Sequence, residues 1–419
     1  MRNSDERIGL DAIALAAYLA LAPMHQTLVL ANGSTVVKYL ALLAMVACVL
    51  WGYIRDRKFI VIWDLIWPVL LMFGWFAMTI LWSDSRSATL SSLISTGSYC
   101  ALILIVGSRR WNEKEKKLVL FALTLSCTFY ALLLIRSAAL ARRATLSFSM
   151  YGKIVKADQN TVACNLGIGA LAAFNWFLRK KERGGFRWAA LACMFVMLAG
   201  IVSTGSRGGL VAFFAGAIYL FYVQARVNVR AHSGFVIIAG LLLVFYWLIF
   251  DLNILRNDTV VARYKSTEMG TLIDRMEIWE QYIGLLLHRP IGFLCGYGYG
   301  CDTVAHAAYL GRDWLRASHN DLISILCQAG IPGILLTGSF VRHVWRRSAE
   351  KQNMLGCACI FLALVGSMSI NFYKTYGWWN TMILAYIGID CERRGEQANP
   401  LFSRPPLRIS NGTVEWRER

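Results

Sequence analysis

Hydrophobic runs of 16 to 24 residues recur along the chain and alternate with polar stretches. Each run is close to the ~20 residues that a helix needs to cross ~30 Å of hydrocarbon. Backbone polar groups in hydrocarbon must bond within their own segment, which favours helices over strands. The pattern therefore predicts an all-α polytopic membrane protein with about twelve transmembrane helices. The predicted spans lie at 8–30, 36–54, 59–82, 88–107, 117–140, 160–178, 187–203, 208–224, 234–252, 320–341, 353–373 and 376–391.

Two connections are longer than the rest, at 141–159 and 253–319. Long connections without secondary structure are uncommon in compact proteins, so the second is expected to contain helices. Its residues 271–287 have apolar positions at roughly helical spacing, which predicts an amphipathic helix at the membrane surface. We divide the chain into a transmembrane helical domain (1–391), this loop within it (253–319) and a basic cytoplasmic tail (392–419).

Composition and charge agree with a membrane protein. The chain is 57% hydrophobic with a mean hydropathy of +0.48, which excludes an ordinary soluble domain. The formal net charge is +18, and with residues 1–7 placed in the cytoplasm, 27 of the 43 lysines and arginines fall on the cytoplasmic side. This positive-inside bias predicts cytoplasmic termini and places both long connections outside. It also accounts for the basic residues without a nucleic-acid partner.

Several kinds of chemistry leave no motif in the sequence. The chain has neither a phosphate-binding Gly-x-x-x-x-Gly-Lys-Ser/Thr loop nor an Asp-x-Asp motif, and its eleven cysteines include no Cys-x-x-Cys pair. We therefore predict no metal site and no cofactor. Most cysteines lie inside predicted spans, as small apolar side chains. A disulfide between Cys295 and Cys301 is an alternative for these two loop residues.

The turn "STGSRGG" places Arg207 between two spans at the predicted outer surface. An arginine costs up to ~3 kcal/mol in the bilayer centre and less toward the surface, so Arg207 is expected to have a partner. The small neighbours Ser206 and Gly208 allow close approach of a ligand to the start of the next helix. A guanidinium beside a helix N-terminus favours an anion. The alternative is an interfacial arginine that reaches toward lipid headgroups.

Two further residues of the outer side are candidates for chemistry. Arg275 lies on the predicted loop helix, where the alternative is an ion pair with a neighbouring carboxylate or simple solvation. His319 directly precedes the span at 320–341, which Ser318 or Asn320 is placed to cap. The alternative for His319 is a structural hydrogen bond. The outer histidines His288 and His306 compete with His319 for a catalytic role.

The order and spacing of six short segments resemble the O-antigen ligase and O-antigen polymerase superfamily. The segments are "LWSDSRSATLSSL", "DQNTVACNL", "STGSRGGLVAF", "DRMEIW", "GYGYG" and "SHNDLISILCQAGIPG". The resemblance covers most of the chain. It implies about twelve spans and a large periplasmic loop that carries part of the active site. It also implies metal-independent transfer of a glycan from undecaprenyl diphosphate, without a nucleotide sugar.

The resemblance assigns roles by position. It makes Arg207, Arg275 and His319 the catalytic candidates. Residues expected to bind substrate are Ser206, Asn320, Asn160 and Gly208. The chain departs from the family at Gln328, where an acidic residue is frequent, and in a loop that is short for a ligase. The second departure leaves ligase and polymerase open.

The expected function is a ligase of the bacterial inner membrane, active at the periplasmic face, that moves a glycan from undecaprenyl diphosphate to a lipid A-core acceptor. Two guanidiniums would stabilise the diphosphate leaving group. His319 would accept a proton from the acceptor hydroxyl or, alternatively, bind phosphate as a cation. A polymerase that extends the lipid-linked glycan is the first alternative. A lipid-linked glycan flippase or another transporter is the second.

Overall fold

A computed structural model of the protein describes residues 8–30, 34–56, 63–109, 111–140, 147–150, 153–156, 158–179, 184–227, 270–312, 316–388, 409–410 and 413–414. These ranges are mostly helical, which agrees with the predicted all-α class. Two pairs of short antiparallel strands also occur there: β1 (Ser147–Met150) with β2 (Lys153–Lys156), and β3 (Ile409–Ser410) with β4 (Thr413–Val414). The predicted span 234–252 lies outside the described residues, as do the start of the 253–319 loop and most of the 392–419 tail.

Fourteen α-helices occur within the described ranges. They are α1 (Leu10–Leu21), α2 (Val36–Asp56), α3 (Trp63–Met78), α4 (Arg86–Gly107), α5 (Glu113–Leu140), α6 (Gln159–Leu178), α7 (Gly184–Ser203), α8 (Arg207–Val227), α9 (Gly270–His288), α10 (Ile291–Cys295), α11 (Asp302–Tyr309), α12 (Asp321–Glu350), α13 (Met354–Ser367) and α14 (Tyr376–Ile387). Helices α9 to α11 belong to the long connection, which confirms that it contains helices.

Eight of the described helices, α2 to α8 and α12, are long and apolar enough to cross a membrane. Helices α1, α13 and α14 are apolar but have only 12, 14 and 12 residues. They fall inside the predicted spans 8–30, 353–373 and 376–391. The chain is thus a multi-pass helical membrane protein, and the total of twelve spans stays a prediction.

Helix α6 forms the centre of the bundle. Of its span, 94% of the residues are buried inside the protein, against 17% for α2. It packs against α5, α7, α8 and α13. The polar residues at the start of α6 therefore lie in the middle of one end of the bundle rather than at its rim.

Helix α12 is broken at Gly330, which has φ +66° and ψ −167°, and Pro332 follows. A proline without an amide hydrogen interrupts the helical ladder, so carbonyl groups of the preceding turn are free to accept other donors. Three donors from elsewhere reach them: Tyr297 N on Cys327 O (2.7 Å), Gly298 N on Gln328 O (3.1 Å) and Trp75 Nε1 on Ala329 O (2.7 Å). The break therefore holds the connection after α10 against the membrane domain.

A buried ion cluster joins three helices near the last turn of α4. Arg109 donates to both carboxylate oxygens of Glu115 on α5, at 2.8 Å each, and to Asp11 on α1 at 2.9 Å. All three side chains are buried. We predicted only a topology signal for the basic stretch that contains Arg109. The structure shows that this arginine also neutralises two buried carboxylates that would be costly alone.

Candidate active site

Helices α9 to α11 pack on the first half of α12 through a small hydrophobic cluster. Its buried members are Ile278, Tyr282, Leu285, Leu286, Tyr297, Ala305 and Cys327. The predicted amphipathic helix is therefore present as α9, with one face buried. Trp279 Nε1 donates to the Ser318 carbonyl (2.8 Å) and the Tyr282 hydroxyl to the Arg316 carbonyl (2.8 Å). Helix α9 thus holds the segment that leads into His319.

His319 lies in a left-handed conformation, with φ +51°. Histidine is one of the few residues that tolerate this region, at a cost of roughly 1–2 kcal/mol. The next residue, Asn320, caps α12: its Oδ1 accepts from Leu322 N (2.9 Å) and Ile323 N (3.3 Å). This confirms that the polar head of the helix includes a cap. The imidazole itself is half-buried, while Ser318 and Asn320 are buried.

The charges around His319 come from separate elements. The pKa of His319 is lowered from its ordinary value by burial, then by the positive charge of Arg275 on α9. Asp158, before α6, opposes this effect, and Arg316 adds to it. The hydrogen bond from Trp279, one turn after Arg275 on α9, to the Ser318 carbonyl keeps this part of α9 beside His319. The structure therefore brings Arg275 and His319 together and adds Asp158, which the sequence had not indicated.

The turn between α7 and α8 contains Arg207. Gly205 has φ +70°, and α8 begins at Arg207, which is exposed. The Ser206 hydroxyl donates to Asn160 Oδ1 (2.6 Å) and accepts from Gly209 N (3.1 Å), so it caps α8 and bonds to the first turn of α6. Two residues predicted to bind substrate, Ser206 and Asn160, are therefore in direct contact.

The start of α6 lies between the residues around His319 and the turn that leads into Arg207. Asp158 caps this helix by accepting from Thr161 N (2.7 Å), and its own amide donates to Gln26 Oε1 (2.7 Å). Asp158 interacts with His319, and Asn160, two residues later, bonds to the residue before Arg207. The beginnings of α6, α8 and α12 therefore share one end of the bundle.

The glycines after Arg207 have a packing reason. A Cβ atom on Gly208 would lie 2.5 Å from Ser369 Oγ, and one on Gly209 would lie 2.3 Å from the Ala163 Cβ. Residues with side chains would therefore force the turn away from its neighbours. We attributed this small-residue turn to close approach of a ligand. The contacts show tight helix packing, and substrate binding by Gly208 stays a prediction.

The two competing histidines lie elsewhere. His306 is buried and stacks on Tyr282 with ring centroids 4.2 Å apart. Burial lowers the pKa of His306, and the charges of Arg312 and Arg316 lower it further. His288 ends α9, 13 residues after Arg275, which at ~1.5 Å per residue separates them by about 20 Å. The structure thus favours His319 over both.

A buried polar network lies below the head of α12. Asp302 of α11 accepts from Ser324 Oγ (2.6 Å) and from Lys374 Nζ (2.9 Å). Gln328 donates to Ser324 Oγ (2.7 Å) and accepts from Gly300 N (2.7 Å). Gln328 thus uses both a donor and an acceptor, which an ionised carboxylate could not do. The carboxylate of this network is supplied by Asp302.

The loop cysteines are not joined. Both Cys295 and Cys301 are free thiols, so the disulfide alternative is wrong. Cys301 Sγ lies 3.2 Å from Ser83 Oγ and 3.3 Å from Thr89 Oγ1, and donates to the Ser85 carbonyl. These hydrogen bonds attach the start of α11 to the turn before α4. The "GYGYG" and "LWSDSRSATLSSL" segments are thereby neighbours.

The described ranges contain no cluster of side chains suited to metal binding. No group of three or more His, Cys, Asp or Glu side chains that could hold a metal ion occurs among these residues. The cations that lie near His319 are arginines, which bind phosphate groups through paired N–H donors. Independence from metal stays a prediction.

The fold and site define a multi-pass helical membrane protein with arginines and a histidine at one end of its bundle. Residues 192–338 match the family model described as O-antigen ligase, which confirms the resemblance to the O-antigen ligase and polymerase superfamily. The matched range includes Arg207, Arg275 and His319. A comparison with curated proteins finds none that matches the chain.

Proposed function

We propose that the protein is a ligase-type glycosyltransferase that transfers a glycan from undecaprenyl diphosphate to a lipid A-core acceptor at the periplasmic face of the inner membrane. The observation that carries this proposal is the hydrogen bond from Trp279 Nε1 to the Ser318 carbonyl (2.8 Å), which places α9, with Arg275 one turn before Trp279, beside the half-buried His319. The family match supports the class of reaction. The identities of the acceptor and of the lipid-linked donor are part of this proposal.

The protonation state of His319 favours a base over a phosphate ligand. Burial and then Arg275 lower the pKa of His319, which favours the neutral imidazole that can accept a proton. In the proposed step, an acceptor hydroxyl loses its proton to His319 while its oxygen bonds to the anomeric carbon. The bond from that carbon to the phosphate oxygen breaks, and undecaprenyl diphosphate leaves.

The arginines would stabilise the leaving group. The diphosphate gains negative charge as the bond breaks, and a guanidinium provides two aligned N–H donors to phosphate oxygens. Arg275 is half-buried, where such an interaction is stronger than in water, whereas Arg207 is exposed at the start of α8. We therefore assign Arg275 to the phosphate nearest the reacting carbon and Arg207 to the outer part of the diphosphate.

Purified variants test this proposal with a defined undecaprenyl-diphosphate glycan and lipid A-core. Arg275→Ala and His319→Ala should each lower turnover by roughly 10²–10⁴-fold. Arg289→Ala is a matched control, because Arg289 is exposed about 20 Å from Arg275 and pairs with Asp84 at 3.5 Å. Near wild-type turnover in both site variants would refute the proposal.

A polymerase remains the second candidate, because the family match includes both activities. Cells that carry His319→Ala separate the two. Loss of a ligase leaves long glycan on undecaprenyl diphosphate and an uncapped lipopolysaccharide core. Loss of a polymerase leaves single repeat units that still reach the core. We expect long lipid-linked glycan, and single-unit caps would favour the polymerase.

A further inference from the structure

The connection between α13 and α14, residues 368–375, bonds to the residues on both sides of His319. Asn371 Oδ1 accepts from the Asn320 amide (3.1 Å) and from the Ser318 hydroxyl (3.2 Å). The Ser318 hydroxyl also donates to the Asn320 carbonyl (3.0 Å). One side-chain oxygen is thus the common acceptor for the two residues that flank the proposed base.

His319 needs such an acceptor because its conformation is unusual. His319 has φ +51°, and its two neighbours, Ser318 and Asn320, are both buried. Without Asn371 Oδ1, the buried Asn320 amide keeps only its longer bond to Ser318 Oγ (3.4 Å), and a poorly satisfied buried amide is costly. We therefore expect the loop to change conformation if this acceptor is lost. A change at either flank would move the imidazole between them.

The connection that carries Asn371 is itself fixed. Tyr373 N donates to Asp321 Oδ2 (3.0 Å), at the first residue of α12. Lys374 Nζ donates to Asp302 Oδ1 (2.9 Å) on α11. The side chain of Asp302 is fully buried, whereas that of Lys374 is 34% exposed. Asn371 is thus held relative to the head of α12 by contacts that do not involve His319.

We propose that Asn371 is a positioning residue that fixes the His319 imidazole for proton transfer. The inference rests on the proposed function, since it assumes that His319 accepts a proton. Asn371 acts through the Ser318 hydroxyl and the Asn320 amide and is not assigned a contact with substrate. A base displaced by ~1 Å can lose ~10²-fold in rate even when substrate binding is retained.

Asn371 also affects the environment of the imidazole. The charged groups that act on His319 are Arg275 on α9, Asp158 before α6 and Arg316 in its own segment. Burial makes the largest contribution to the lowered pKa of His319. A loosened loop admits water, and the acidic limb of the rate profile then moves to higher pH.

The test compares kcat, KM and pH profiles of purified full-length variants. Asn371→Ala should lower kcat by about 10–100-fold, leave KM within about 3-fold and move the acidic limb upward. Asn371→Asp keeps an oxygen acceptor and adds a negative charge near His319. It should therefore recover most of kcat at pH 8 but show a limb at higher pH than wild type.

Thr375→Ala is the matched control, because its hydroxyl bonds within the same connection, to the Phe372 carbonyl at 2.7 Å. It should keep wild-type kcat and pH profile. The inference is overturned if Asn371→Ala has wild-type kcat and profile while His319→Ala is inactive. An active His319→Ala variant would instead overturn the proposed function. If Asn371→Ala fails to fold, a wild-type profile for Asn371→Asp also overturns the inference.

Discussion

A substitution at Asp158 can change the electrostatic environment of His319 with little effect on folding. The Asp158→Asn variant removes the charge that opposes Arg275 but keeps an oxygen that can cap α6, as Asp158 does for Thr161 N at 2.7 Å. Asparagine and aspartate are about equally good caps, so the helix should lose only a few tenths of a kcal/mol. Changes in rate then report on electrostatics rather than on folding.

The direction of the expected change in activity follows from the role of His319 as a base. Proton acceptance needs neutral imidazole, so activity rises with pH through the pKa of His319. The negative charge of Asp158 favours imidazolium and raises that pKa, so its removal lowers the pKa further. We expect Asp158→Asn to be more active than wild type on the acidic limb and equal to it at pH 8.

The size of the effect is limited by solvent. Asp158 is exposed, and exposed ion pairs contribute at most ~1 kcal/mol. Since ~1.4 kcal/mol corresponds to one pH unit, the midpoint should move by less than ~1 unit. An ordinary histidine with a pKa of ~6.5 is about one quarter neutral at pH 6, so the wild-type enzyme should keep more than that fraction of its plateau rate there.

The assay measures initial rates from pH 5 to 8.5 with saturating donor and acceptor. Arg316→Gln supplies the opposite sign, because Arg316 lowers the pKa of His319 and its loss should move the midpoint upward. A midpoint that rises in Asp158→Asn would refute the electrostatic assignment. A rate that falls as pH increases through this range would refute the base role and favour a protonated His319.

Four further predictions concern other parts of the molecule. Arg109→Met removes the cation that bonds to the buried carboxylates of Asp11 and Glu115 and should destabilise the protein by about 3–5 kcal/mol, measured by thermal unfolding in detergent. Gln328→Glu places a second carboxylate near Asp302 and removes a buried donor, so it should lower the unfolding temperature at pH 7. Transfer should continue in EDTA, and loss of activity that magnesium restores would contradict this. Periplasm-active reporters should be silent when fused after Arg347 and active after Ala305.

Much of the helical architecture follows from hydrophobic run length alone. The eight described helices that could cross a membrane each overlap a predicted span, because ~20 apolar residues have few other stable arrangements. Boundaries were less accurate at α12, whose helical residues continue after the Gly330 break to Glu350. A prediction that ended the span at 341 missed its basic last turns, since hydropathy does not record where a helix leaves the membrane.

Residues that act through others were not predictable. Asp158 reads as an ordinary helix cap, and Asn371 as a polar residue in a short connection. Their importance depends on which helices are neighbours, and hydropathy does not contain that information. Arg109 shows the same limit, because a basic stretch has the same sequence whether it is solvated or pairs with buried carboxylates.

The alternating direction of successive spans explains why part of the candidate site could be predicted from the sequence. In a bundle whose spans alternate in direction, every second span begins at the same end, so the starts of α6, α8 and α12 are expected to lie together. The polar residues at these starts include Asn160, Arg207 and Asn320, and the contact between Ser206 and Asn160 shows two of the starts in contact. The direction of the spans does not determine which of the alternate spans are neighbours. It also gives no information about the position of the loop helix α9. The position of Arg275 near the site therefore depends on the packing of α9 against the head of α12. Any change that loosens this packing should reduce turnover before it reduces membrane insertion.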